Sequence, residues 1–180
     1  RLIADFISTQ ANIERVSELL ETEPSITDRP DVVEKYGDAF FPKKENWEPL
    51  RGDIEFRNVW FKYPDGGDYI LEDFNLKIKA GTTVAIVGET GAGKSTLVNL
   101  ACRFFEPTQG EILIDGVDYR ERSQLWLHSN LGYVLQNPHL FSGSVYENIR
   151  YGRLDATREE IEEAAKIASA HDIILGMEKG

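Results

Sequence analysis

The stretch TTVAIVGETGAGKSTLVNLACRFF, residues 82–105, decides the fold. TTVAIV is apolar and β-branched without alternation, the pattern of a central strand covered on both faces. KSTLVNLACRFF reads as a helix ended by Pro107. Between them lies a loop with glycines at 88, 91 and 93. An apolar strand that turns through glycines into a helix places backbone N–H groups and a helix N-terminus at one point, which favours an anion.

The spacing is specific. Gly88, four residues, Gly93, Lys94 and Ser95 satisfy the phosphate-loop pattern in the strand–loop–helix setting it requires. The glycines let the chain curl so that successive N–H groups point inward at phosphate oxygens. In such a loop the lysine reaches the β- and γ-phosphates and the hydroxyl ligates Mg²⁺. The loop residues Gly88, Glu89, Thr90, Gly91, Ala92, Gly93, Lys94, Ser95 and Thr96 are therefore the candidate nucleotide contacts.

Upstream, DIEFRNVWFKY alternates Ile54 and Phe56, slips phase, then alternates Val59, Phe61 and Tyr63, which predicts a strand with a bulge. PDGGD is turn chemistry. FNLKIKAG reads as a half-buried strand through Phe74, Leu76 and Ile78. Residues 24–50 carry prolines and charges without sustained periodicity and are expected to form an extended linker with one short turn. Residues 1–23 read as an amphipathic helix, with Phe6, Ile13 and Leu20 recurring every seven positions.

Downstream, GEILIDG and LGYVL are expected to be short strands, and TREEIEEAAKIASAHDIILG a helix capped by Thr157 and Glu160. Strands first, then strands mixed with helices, predict an α/β fold with an antiparallel part at the front. EILID imitates a strand ending in a catalytic acid, Asp115, but its reading is structural. His128, His139 and His171 lack metal-ligand spacing and read as surface or packing residues. The charges of REEIEEAAK read as the solvated face of a helix.

The chain has 180 residues and is 41% hydrophobic, enough for a core. A net charge of −11 argues against nucleic acid, which needs a basic stripe. The single cysteine, Cys102, lies in an apolar stretch and fits a reducing compartment. No apolar run has the length of a membrane span. A start at Arg1 without an initiator Met is expected for a piece of something longer.

Four segments in order resemble the nucleotide-binding domain of exporter-type ABC transporters, multidrug and lipid exporters among them. GETGAGKST resembles the Walker A loop. FKYPDGGDYILEDFNLKIKAG resembles the aromatic A-loop region, LGYVLQNPHLFSGSVYENI the Q-loop and the segment after it, and QANIERVSELLETEPSITD the join to the last transmembrane helix. The resemblance implies a P-loop NTPase core with an antiparallel β-subdomain and the start of a helical subdomain near 144–180, incomplete at the C-terminus. It divides the chain into a helix continuing from the last transmembrane helix (1–23), a linker (24–50) and the N-terminal portion of the ATPase domain (51–180).

The resemblance places Tyr63 on adenine and Ile70 beside the base or ribose. It makes Gln136 the family glutamine, a second Mg²⁺ ligand or a water-orienting group, catalytic together with Lys94. ATP and Mg²⁺ are the implied ligands. The implied partners are a second nucleotide-binding domain and transmembrane domains docking through coupling helices, with Leu140, Phe141, Val145 and Tyr146 as a groove wall. The implied place is the cytoplasmic face of a membrane. The family's signature, Walker B strand, catalytic Glu and switch His are not reached within residues 1–180, nor are the strands that flank TVAIV. The 180 residues alone are therefore expected not to hydrolyse ATP. Two other readings stand beside this one. A nucleotide-responsive binding module without hydrolysis fits the missing motifs, whereas another P-loop enzyme makes the Tyr63 and Gln136 segments coincidental and finds no guanine-reading motif.

Overall fold

A computed structural model describes Ser17 and residues 24–177, so the expected helix over 1–23 lies outside the described residues apart from Ser17. The chain forms two compact units, Arg1–Gly132 and Tyr133–Gly180.

The first unit is built on an antiparallel sheet of strands β1 (Ile54–Phe61), β2 (Leu71–Ile78), β3 (Gln109–Ile114) and β4 (Val117–Asp118), in the order β2-β1-β3-β4. The expected bulge is present. The β1 register shifts between Phe56 and Val59 against β2, and between Arg57 and Trp60 against β3. Asn58 takes φ +49 there, and Gly110 approaches so closely that a Cβ would collide with the Asn58 carbonyl. On β2, Phe74, Leu76 and Ile78 are half-buried, as the alternation predicts.

Asp115 and Gly116 join β3 to β4 in a two-residue turn with both φ positive (+51 and +79), and Ile114 pairs with Val117. The Asp115 carboxylate accepts the backbone N–H groups of Arg51 (2.7 Å), Gly52 (2.9 Å) and Asp53 (2.9 Å). Its role is the structural one expected: it fastens the chain entering β1.

The linker departs from expectation. Helix α1 (Pro30–Tyr36) opens on a proline with Asp31 in its first turn, and ends at Gly37 with φ +78. Val32 and Tyr36 are buried in the main core with Phe56, Leu100 and Trp126. The Tyr36 hydroxyl donates to the Glu48 carboxylate at 2.8 Å, and Trp126 Nε1 donates to the Glu48 carbonyl at 2.8 Å. A 3-10 turn over Lys44–Asn46 follows. Seven residues are too few to show helical periodicity, and a helix that short is held by packing rather than propensity.

Helix α2 (Lys94–Ala101) is shorter than predicted. It stops because Arg103 turns left-handed, φ +56, and sends its side chain into the core rather than continuing to Pro107. Cys102 is buried, as expected, and burial raises its thiol pKa. Helix α3 (Gln124–Ser129) is capped by Ser123, whose hydroxyl accepts the Trp126 N–H at 2.9 Å. His128 bonds the Cys102 carbonyl through Nε2 at 2.8 Å, a packing role.

Two expected strands are absent. Residues 82–88 form no ladder, and Val84, Ile86 and Val87 are 46%, 42% and 87% exposed. LGYVL forms none either, with Val134 95% exposed. A parallel strand of this composition needs hydrogen-bonded neighbours on both edges and covered faces. Among the described residues neither segment has them.

The second unit holds α4 (Val145–Arg150), α5 (Arg158–Ile167) and α6 (His171–Leu175). The expected Thr157–Glu160 capping box starts α5, and a second box, Ser144 with Glu147, starts α4. The single helix expected over 157–176 is broken where Ser169 takes φ +56. Ile161 and Ala165 point inward, while the Arg158–Glu162 pair (3.0 Å) lies on the solvated face and adds little.

Candidate functional site

Residues 88–92 form an exposed curl that runs through Gly93 into the first turn of α2, where Thr96 is buried. Gly91 (φ +89) and Gly93 (φ +82) hold left-handed conformations that side chains resist. The Ala92 N–H donates to the Glu89 carbonyl at 3.1 Å and the Leu97 N–H to that of Gly93 at 3.0 Å. The Lys94 ammonium folds back across the curl and donates to the carbonyls of Gly88 (2.6 Å) and Glu89 (2.5 Å). The first-turn amides of α2 have no acceptor inside the helix. A flexible cation and the first-turn amides of α2 thus lie within one short segment, a combination that suits an anion.

Ser95 is exposed on the first turn of α2. A single hydroxyl beside a polyphosphate suits Mg²⁺, which keeps most of its waters and takes one or two protein ligands. Among the described residues no cluster of three or more His, Cys, Asp or Glu could hold a metal by itself.

Tyr63 lies two residues beyond β1 and reaches α2: its hydroxyl is 3.0 Å from the hydroxyl of Thr96. Its ring stands nearly perpendicular to those of Phe61 and Phe105, with both centroids 4.9 Å away. A cleft of about 380 Å³ runs beside it, lined also by Lys62, Pro64, Glu106 and Thr108. Ile70 is 38% exposed and sits against the loop, since a Cβ on Gly93 would meet its Cγ2 at 3.2 Å. The first unit therefore brings Tyr63, Ile70 and residues 88–96 together. The Thr96–Tyr63 bond and the Phe105 ring had no signal in the sequence, because both depend on how α2 docks on the end of β1.

Gln136 belongs to the second unit, in an exposed bend. The groove expected there is only partly drawn from the expected residues. Val145 and Tyr146 line a cleft of about 200 Å³ with Ile149, Ile161, Ala165 and Ile174. Leu140 and Phe141 are exposed outside its lining, at 79% and 55%, and Phe141 packs on Tyr151 at 5.0 Å.

Comparison with known proteins identifies the family. Residues 71–178 match the ABC transporter family. The chain is 42% identical over 175 residues to the uncharacterized ABC transporter ATP-binding protein YfiC of Bacillus subtilis, covering 97% of the chain and 27% of that protein. It is 51% identical over 134 residues to ABC transporter B family member 3 of Dictyostelium discoideum, covering 74% of the chain and 9% of that protein. A Bacillus subtilis protein named for multidrug export, the ATP-binding/permease protein YgaD, is 42% identical over 94% of the chain. The chain thus spans about a quarter of YfiC and YgaD. Its structure superposes on a bacterial Atm1-family ABC exporter solved with ATP bound, with a TM-score of 0.73 and 35% identity, over 96% of this chain and 28% of that one. The chain belongs to the ABC transporter family.

Proposed function

We propose that residues 88–96 hold the triphosphate of ATP, with adenine on the Tyr63 ring and Ile70 at its edge. The observation that carries this reading is the Lys94 ammonium bonded across a curl made by Gly91 and Gly93, two residues before the Tyr63–Thr96 contact. Bound ATP with Mg²⁺ supplies the phosphoryl group and the charge-neutralising metal. The chain's own part is positioning. Lys94 exchanges its two carbonyl acceptors for phosphate oxygens, the loop amides and the α2 dipole stabilise the same charge, and the Ser95 hydroxyl ligates the metal. Gln136, carrying a neutral amide in an exposed bend, serves as metal ligand or water-orienting group.

In the intact protein this binding drives export across a membrane, with two ATP-binding domains pairing around nucleotide on the cytoplasmic face. Transmembrane domains press coupling helices onto the helical unit. Residues 1–180 alone bind ATP without turning it over, because phosphoryl transfer to water requires a catalytic base beyond what Lys94, Ser95 and Gln136 provide. No helix among the described residues is long and apolar enough to cross a membrane.

The base subsite is tested by calorimetry. Tyr63→Ala should weaken ATP binding by about 1–3 kcal/mol while Tyr63→Trp keeps most of it, since stacking accepts any flat ring. ATP and GTP should then differ by less than about tenfold on the same ground. Unchanged affinity in Tyr63→Ala would make Tyr63 a packing residue.

A further inference from the structure

We propose that Thr96 is a positioning residue for nucleobase recognition: its hydroxyl, with the rings of Phe61 and Phe105, fixes the plane of Tyr63. The proposal rests on the reading of Tyr63 as the base-stacking residue. A stacking side chain recognises a base well only if its ring is already held, because ordering it on binding costs rotamer entropy. Tyr63 lies outside β1, where the ladder no longer fixes the backbone. Ring contacts and a hydrogen bond hold it instead. Phe61 and Phe105 stand edge-on at 4.9 Å with interplanar angles of 81° and 86°, which resists rotation of the ring. The 3.0 Å hydroxyl–hydroxyl bond to Thr96 fixes its far end.

Thr96 is suited to this role. It is 4% exposed, so its hydroxyl competes little with water, and it sits in the first turn of α2 directly after Lys94 and Ser95. A shift of the phosphate loop therefore moves the anchor of the base platform with it. The two ends of the nucleotide are read by one rigid piece. Both hydroxyls remain satisfied by each other, which explains why a polar side chain is tolerated at this buried turn.

The test uses the intact protein and compares binding of ATP with binding of tripolyphosphate, which has no base, in the presence of Mg²⁺. Tyr63→Phe keeps the ring and removes the bond. It should weaken ATP about three- to tenfold, the range of one net hydrogen bond, and leave tripolyphosphate unchanged. Thr96→Val should lower the ratio of ATP to tripolyphosphate affinity by the same factor, and Thr96→Ser should restore it. The double variant, Tyr63→Phe with Thr96→Val, should lower the ratio no further than either alone. An unchanged ratio in Thr96→Val, or additive losses in the double variant, would overturn the proposal. If Thr96→Val fails to fold, Tyr63→Phe decides: normal ATP affinity there overturns the proposal. Tyr63→Ala separates the two readings. If it weakens ATP while Tyr63→Phe and Thr96→Val do not, stacking stands and positioning fails. If Tyr63→Ala itself has no effect, the base subsite is wrong and the proposal falls with it.

Discussion

The Arg103 guanidinium, 1% exposed, lies 3.1 Å from the Asp28 carboxylate, joining the end of the phosphate-loop helix to the linker that precedes the sheet. The same guanidinium donates to Glu106 (3.0 Å) and to the carbonyls of Tyr119 (3.1 Å) and Arg122 (2.8 Å). Asp28 also accepts the Gln124 N–H at the start of α3, at 3.0 Å. One buried cation thus fastens linker, α2 and α3 together.

Removing the cation takes one donor from each of two carboxylates and two carbonyls. Arg103→Met should destabilise the protein by about 3–5 kcal/mol, the cost of breaking a buried pair from one side. Asp28→Asn leaves Arg103 its other three acceptors and should cost less, about 1–2 kcal/mol. Urea unfolding midpoints check both values. Equal, small losses would mean that the pair is not the anchor.

The linker shows where sequence reasoning stops. The β1 phase slip, the β2 alternation and the Thr157 cap were legible because each is a local pattern with its own period or spacing. The bonds of Glu48 to Tyr36 and Trp126, and of Arg103 to Asp28, were not, because partners 12 to 78 residues apart leave no local trace. At Asp115–Gly116 two signals overlap. Asp-Gly between apolar runs marks a hairpin turn, while an acid closing an apolar run imitates a strand end. The opposite failure occurs at TTVAIV and LGYVL. Composition predicts a central strand for the first and a short strand for the second, but composition states a preference and a strand needs partners. At the candidate site the spacing of Gly88, Gly93, Lys94 and Ser95 was fully visible. The neighbours of Tyr63 were set by tertiary docking and were not.

Asp115 makes stability depend on acid. Burial alone would raise its pKa, but the Arg51, Asp53 and Gly52 N–H donors outweigh it and hold the carboxyl below 3.8. The folded state therefore binds this proton less readily than the unfolded state. The contribution is complete above the unfolded value near 3.8 and is lost as pH falls through the lower folded value. Asp115→Asn should be less stable than the parent at pH 7, and the difference should shrink toward about pH 3. A difference independent of pH would assign the loss to turn geometry rather than charge.

The cleft in the helical unit offers a sharper coupling test than its neighbours. Tyr146 lines it, whereas Phe141 does not. In the intact protein Tyr146→Ala should reduce transport and substrate-stimulated ATP hydrolysis while ATP affinity stays near normal. Phe141→Ala should have the smaller effect. Intact substrate stimulation in Tyr146→Ala would mean that the cleft does not receive the membrane domains.

Binding of the ATP phosphates through Lys94 is measured by titration calorimetry of Mg-ATP with Lys94→Ala in the folded, intact protein. Loss of the charge-assisted contacts should weaken binding by about 1.5–3 kcal/mol, roughly ten- to two-hundredfold. Circular dichroism should stay unchanged, because the Lys94 ammonium bonds only exposed loop carbonyls and Lys94 stands outside the core cluster. Parent-like ATP affinity in a folded Lys94→Ala protein would contradict the account.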